Sequence, residues 1–96
     1  MIVSYRDERT EKFAAGKRVK ALGGIKRAAR LKLDRLEAAE SIQDLAALRG
    51  NRLEALKGDR EGQYSIRINE RWRICFECVK DKPKEFAEVE IVDYHS

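Results

Sequence analysis

The chain changes its hydrophobic period half-way along. Up to about residue 50, apolar residues recur at helical spacing. Beyond it, they alternate with polar ones. A period near 3.6 puts apolar side chains on one stripe of a helix, and a period of 2 puts them on one face of a strand. Helices first and strands afterwards predict an α+β fold, with helices packed on one face of a mostly antiparallel sheet of about four to five strands. The 96 residues suit one domain, 1–96, with a core that needs no metal or disulfide staple.

Residues 1–5 suit a short strand. Residues 7–15 suit a short helix capped by Asp7 and ended by Gly16. After Gly23-Gly24 a longer helix is predicted to about Glu40, with Ile25, Ala29, Leu33 and Leu36 on its apolar face. Ser41 and Asp44 predict the start of a third helix, which carries Leu45 and Leu48 and stops at Gly50. Strands are expected over 52–57, 63–68, 71–79 and 85–92, with a turn over Lys80-Asp81-Lys82-Pro83-Lys84 between the last two. In 71–79, Trp72, Ile74, Phe76 and Cys78 share the core face, and Arg71, Arg73, Cys75 and Glu77 share the other. Trp72 reads as core. Gly58 and Gly62 read as turn residues around Asp59 and Arg60.

Charged residues make up 40% of the chain and its net charge is +4. The excess is concentrated. Residues 17–36 hold Lys17, Arg18, Lys20, Lys26, Arg27, Arg30, Lys32 and Arg35 against the single acid Asp34. Such a stripe attracts a polyanion, and an acidic protein surface could use it equally well. With Arg67 on the non-core side of its strand, a phosphate-backbone groove between basic helix and sheet is expected. No apolar run reaches the ~20 residues that cross a bilayer, and the N-terminus lacks a signal-peptide layout, so a cytoplasmic protein with no membrane partner is expected. Cys75 and Cys78 are spaced C-x2-C but lie inside a strand pattern, with one histidine in the whole chain. They read as ordinary strand residues and not as a metal or redox site.

Three clusters carry the candidate chemistry. They are Leu56-Lys57-Gly58-Asp59-Arg60-Glu61-Gly62, Arg71-Trp72-Arg73-Ile74-Cys75-Phe76, and the terminal Val92-Asp93-Tyr94-His95. In this order, from about Leu53 to His95, the chain resembles the HigB branch of the RelE toxin superfamily. In the first half the similarity is of length, charge and helix order. The resemblance implies a RelE-like fold and RNA cleavage without metal or cofactor. It also implies action on messenger RNA in the A site of the 70S ribosome. The implied partner is a HigA-like helix-turn-helix antitoxin, through which the toxin–antitoxin complex would bind operator DNA.

The cleavage so implied is attack of a ribose 2′-OH on the adjacent phosphate. It needs a base, an acid and positive charge on the phosphate oxygens. Arg73 matches the family's phosphate-stabilising arginine, and a guanidinium can engage two oxygens at once. Its alternative role is a surface ion pair with Glu77. Lys57 matches a family lysine and would add a point charge. His95 is the single side chain whose ordinary pKa lies near neutrality. Tyr94 can stack on a base or bond the phosphate. Asp93 can orient His95 or read a base edge. Glu54 departs from the family, where a histidine three residues before the lysine is usual. A glutamate can serve as general base but not as a cation, so the base is Glu54 or His95. A gyrase-inhibiting toxin of the same fold, or a plain RNA-binding module, would share the basic helix without needing acid–base groups.

Overall fold

The computed structural model describes residues 1–94. Its helices are α1 (Glu8–Ala14), α2 (Lys26–Ala38) and α3 (Ile42–Ala46). Its strands are β1 (Glu54–Ala55), β2 (Gln63–Arg67), β3 (Trp72–Val79) and β4 (Lys82–Asp93). The strands form an antiparallel sheet in the order β1-β2-β3-β4. No helix among the described residues is long and apolar enough to cross a membrane.

α1 and α3 each begin where a side chain can satisfy a free N–H group. The Asp7 carboxylate accepts from the Thr10 N–H at 2.9 Å, and Gly16 turns the chain beyond α1 at φ 87°. The Ser41 hydroxyl accepts from the Asp44 N–H at 3.3 Å. The Asp44 carboxylate reaches back to the Glu40 N–H at 2.9 Å, one residue before the position a reciprocal capping box would use. A 3₁₀ turn, Lys20–Ile25, contains both glycines expected ahead of α2. From α2, Ala29, Leu33 and Leu36 enter the core, as their spacing predicts.

The core lies between the helices and one sheet face. Ile66, Ile74, Phe76, Phe86, Val89 and Ile91 are buried there with Phe13, Leu22 and Leu45. Phe76 meets Phe86 edge-on, with ring centroids 5.3 Å apart. Phe86 and Val89 differ by three positions, which a regular strand would place on opposite faces. A bulge reconciles them. Cys75 pairs with Glu90 and Glu77 with Ala87, so Phe76 alone faces Glu88 and Val89. Glu88 takes the left-handed conformation, at φ 53°, and its N–H donates to the Ser4 hydroxyl at 2.9 Å.

The N-terminal segment therefore differs from the expected strand. Residues 1–5 form two isolated parallel bridges to β4, Ile2 with Phe86 and Tyr5 with Val89. The bulge interrupts a continuous ladder there. Further along the same edge, α1 takes over. The Arg9 guanidinium donates to the Ile91 carbonyl at 2.7 Å, and the Ile91 N–H donates to the Thr10 hydroxyl at 3.0 Å. The edge of β4 is thus covered by segments of this same chain.

Two other expectations change. The strand foreseen at 52–57 shrinks to two residues because Arg52 is left-handed and Leu56 leads into the loop. The turn foreseen over residues 80–84 narrows to Lys80-Asp81, with Asp81 at φ 64°. Pro83 lies inside β4, next to the Lys82–Val79 pair and ahead of the ladder to the N-terminal segment.

Cys75 lies on the sheet face away from the helices yet is buried, whereas Cys78 is exposed. Burial raises both thiols above their ordinary range. The thiolate is the reactive form, so a raised pKa leaves less of it at any given pH. Alkylation of Cys78 in the folded protein is therefore expected to be slower near neutral pH than that of free cysteine, and to accelerate as pH rises. Cys75 is expected to react only after unfolding. Peptide mapping after timed labelling checks both, and prompt labelling of folded Cys75 would contradict its burial.

Candidate functional site

Arg73 lies on the sheet face away from the helices, in register with Arg67 on β2 and Val92 on β4. Its side chain is only 12% exposed. The Nε–H donates to the Ser65 hydroxyl at 2.7 Å, and Nη2 donates to the Arg52 carbonyl at 2.7 Å. Nη2 also stands 3.8 Å from a carboxylate oxygen of Glu54. The Tyr94 ring centroid lies 5.9 Å from the guanidinium carbon. A guanidinium has more N–H donors than these contacts use. Arg52, Leu53, Glu54, Arg67, Glu70 and Arg73 line an open groove of about 560 Å³.

Three of the sequence-predicted residues, Arg73, Glu54 and Tyr94, therefore stand together. Asp93 is close in sequence but bound elsewhere. Its carboxylate accepts from Arg71, at 2.9 Å from Nε and 2.7 Å from Nη2, and this bond pushes the Arg71 guanidinium further up from its ordinary pKa. The Arg71 carbonyl accepts from the Tyr94 N–H at 2.7 Å. Arg71 thus braces the last residue of β4 and the one that follows it. The ion pair foreseen between Arg73 and Glu77 does not form; Glu77 pairs with Arg6 at 3.1 Å. His95 lies outside the described residues.

Lys57 is exposed, at the start of a 3₁₀ turn (Gly58–Arg60), and is not drawn into contact with Arg73. Its loop is firmly seated nonetheless. Gly58 and Gly62 take φ values of 66° and 93°, which favour glycine. Between them the Arg60 guanidinium donates to Gln63 at 3.0 Å and to Glu90 at 3.2 Å. Together with Arg6, these groups roof Cys75.

The basic residues foreseen for RNA divide between two surfaces. Arg67 lines the Arg73 groove. Lys17, Arg18, Lys20, Lys26 and Arg30 surround a separate hollow of about 250 Å³ floored by Phe13, Val19 and Leu22. Arg27 lies on a neighbouring hollow with Leu31 and Asp34. None of these helical-layer residues lines the Arg73 groove, so the phosphate groove foreseen between basic helix and sheet is not formed that way. Arg30 stacks over Phe13 at 4.8 Å and donates to the Ala14 carbonyl at 3.2 Å, closing the end of α1.

Sequence reasoning missed Ser65, Arg52 and Arg71. Ser65 is a polar strand residue with no exposure at all, and its alternation signalled only the face. Arg52 acts through its backbone, which no side-chain pattern reveals. Among the described residues, no group of three His, Cys, Asp or Glu side chains could hold a metal ion.

Residues 3–95 match the family of RelE-like toxins of the type II toxin–antitoxin system HigB. The chain belongs to that family. It is 35% identical over 81 residues to Toxin HigB-1 of Vibrio cholerae serotype O1, covering 82% of this chain and 85% of that protein. It is 40% identical over 48 residues to Endoribonuclease HigB of Proteus vulgaris, covering 48% of this chain and 52% of that protein. Among solved structures it is similar to the heterotetrameric YoeB-YefM toxin-antitoxin complex of Staphylococcus aureus, with TM-score 0.61, 16% identity and coverage of 100% of this chain and 99% of that one. The YoeB/ParE toxin of Agrobacterium tumefaciens gives TM-score 0.55 at 18% identity, covering 99% of this chain and 98% of that one. At those identities the likeness establishes the RelE-like fold.

The Ser65 contact carries a testable consequence for this family member. Ser65→Ala leaves the Nε–H of a mostly buried guanidinium without its acceptor, a loss of about 1–3 kcal/mol. The expected readout is a lower urea midpoint with unchanged slope. An unaltered midpoint would show that the hydroxyl does not hold Arg73.

Proposed function

We propose that this chain is a metal-independent endoribonuclease that cuts messenger RNA on the ribosome and so stops translation. The observation that carries the reading is the Arg73 guanidinium, nearly buried, fixed by Ser65 and Arg52, and facing a groove beside a carboxylate and an aromatic ring. The relative from Proteus vulgaris, named an endoribonuclease, supports it.

In this reading a scissile phosphate enters the groove and Arg73 holds its non-bridging oxygens. As the ribose 2′-oxygen attacks, negative charge grows on those oxygens, and a preorganised cation stabilises it without rearranging. Glu54, exposed and 3.8 Å from Arg73, takes the 2′-OH proton. The bond from phosphorus to the 5′-oxygen breaks, leaving a 2′,3′-cyclic phosphate and a 5′-OH. His95 supplies the proton that the leaving oxygen takes. Tyr94 stacks on a neighbouring base, and Asp93, held by Arg71, orients the terminal residues. Lys57 adds positive charge once RNA is bound.

The partner is an antitoxin of the HigA-like helix-turn-helix class, which also carries the complex to operator DNA. The hollow ringed by Lys17, Arg18, Lys20 and Lys26 suits an acidic segment of that partner. Binding there would silence the toxin by barring it from the ribosome in the cytoplasm, with the groove itself left uncovered.

Toeprinting messenger RNA on ribosomes with an occupied A site tests the reading. The expected result is a cut in the A-site codon that Arg73→Ala slows by about 10²–10³-fold, the scale of losing one charge-stabilising group. No cut with folded wild-type protein would overturn the nuclease reading.

A further inference from the structure

Lys32 is a lysine on the apolar side of α2, only 7% exposed. No carboxylate pairs with it among the described residues. Burial, then the positive charges of Arg35 and Arg67, push its ammonium below the ordinary lysine range. Burying such a group is unfavourable, and an apolar side chain of the same length would fill the space without that cost. Its contacts give the residue a use. Nζ donates to the Gly50 carbonyl at 3.0 Å and to the Asn51 side-chain oxygen at 2.9 Å. Asn51 is fully buried, and its amide donates onward to the Leu45 carbonyl at 3.1 Å.

The next residue along is Arg52. Its backbone is left-handed, at φ 44° and ψ 54°, a conformation disfavoured for a residue with a side chain. It persists only where neighbours over-determine it. The carbonyl of this residue accepts from Arg73 at 2.7 Å.

We propose that Lys32 is a positioning residue for Arg73, because its clamp on Gly50 and Asn51 holds Arg52 in the conformation that aims its carbonyl at the guanidinium. The kinetic consequence rests on the ribonuclease reading; the structural one does not. Lys32 touches no substrate; its contacts lead to Arg73 through Asn51 and the Arg52 backbone, and its charge also acts on Arg67, Arg73's register partner across the sheet.

Two measurements on the full chain test it, with Lys32→Met as the variant. The first is the NMR signal of the Arg73 Nε–H, identified by its loss in Arg73→Lys. In wild type it should be sharp and protected by its bond to Ser65. In Lys32→Met it should shift and broaden while the core methyl signals stay in place. The second is the single-turnover rate of messenger RNA cleavage at saturating toxin. Misplacing a reacting group costs about 10–100-fold, so the maximal rate should fall on that scale with half-saturation little changed. In an Arg73→Ala background the same substitution should do much less, since groups that act as a unit are not additive.

An unchanged Arg73 signal in folded Lys32→Met overturns the proposal. So does an equal loss of rate in the Arg73→Ala background, which would make Lys32 a general scaffold residue. If Lys32→Met does not fold, Asn51→Ser breaks the same clamp and is judged by the same two readouts. If wild type cuts nothing while the Arg73 signal responds as expected, the ribonuclease reading falls and the clamp stands.

Discussion

The site depends on one arrangement, a guanidinium held almost out of water by neutral oxygens. Among the described residues, the carboxylate paired with Arg73 is that of Glu54, 3.8 Å away and largely solvated. Ser65 and the Arg52 carbonyl satisfy its donors at 2.7 Å without cancelling its charge. A tight bidentate carboxylate would have stabilised the arginine more and left it less to offer an anion. The hydroxyl and the carbonyl fix direction, and the net positive charge remains for a ligand. The sheet supplies this economy of parts because Glu54, Ser65 and Cys75 fall in register across β1, β2 and β3, one step from the Arg67–Arg73 pair.

The far face of the sheet is therefore not one continuous basic surface. Its other half is closed by Arg6, Arg60, Glu77 and Glu90, which neutralise one another over Cys75. Glu90 is the least exposed of these acids and serves both arginines. That network joins four segments: the N-terminal strip, the loop that carries Lys57, β3 and β4. It also sets a boundary. An anion approaching the face meets Arg73, Arg67 and Arg52 together in the groove beyond that boundary.

The sequence made the architecture legible because period carries burial directly. Ala29, Leu33, Leu36, Ile66, Ile74 and Phe76 all went where their spacing put them. The errors share a physical origin. Residues 1–5 and β4 could not be read correctly from their own patterns, because the Glu88 bulge and the Ser4 bonds that hold it are decided between the two segments. β1 was overestimated because Arg52 breaks the strand through backbone conformation. In the sequence Lys32 reads as one more charge on a basic helix, although its position beside Leu33 and Leu36 places it at the margin of the apolar stripe. Motif order points to Arg73 and Tyr94, and the departure from the family at Glu54 marks the third residue that the fold brings beside them. It could not locate Ser65 and Arg52, whose roles exist only once the strands are paired.

The separation of the two basic surfaces bears on how such a toxin is controlled. The hollow beside α1 sits in the helical layer, while Arg73 opens on the opposite side of the sheet, and the two share no lining residue. A segment seated in the hollow adds bulk and negative charge without contacting the groove. Between the two surfaces stands α2, whose Lys26 and Arg30 line the hollow and whose Lys32 clamps the residues before Arg52. A partner that displaced α2 by a fraction of a turn would act on both surfaces through one rigid element. A partner that left α2 in place would leave this link to the guanidinium undisturbed and would have to act by the bulk that it adds on the helical side.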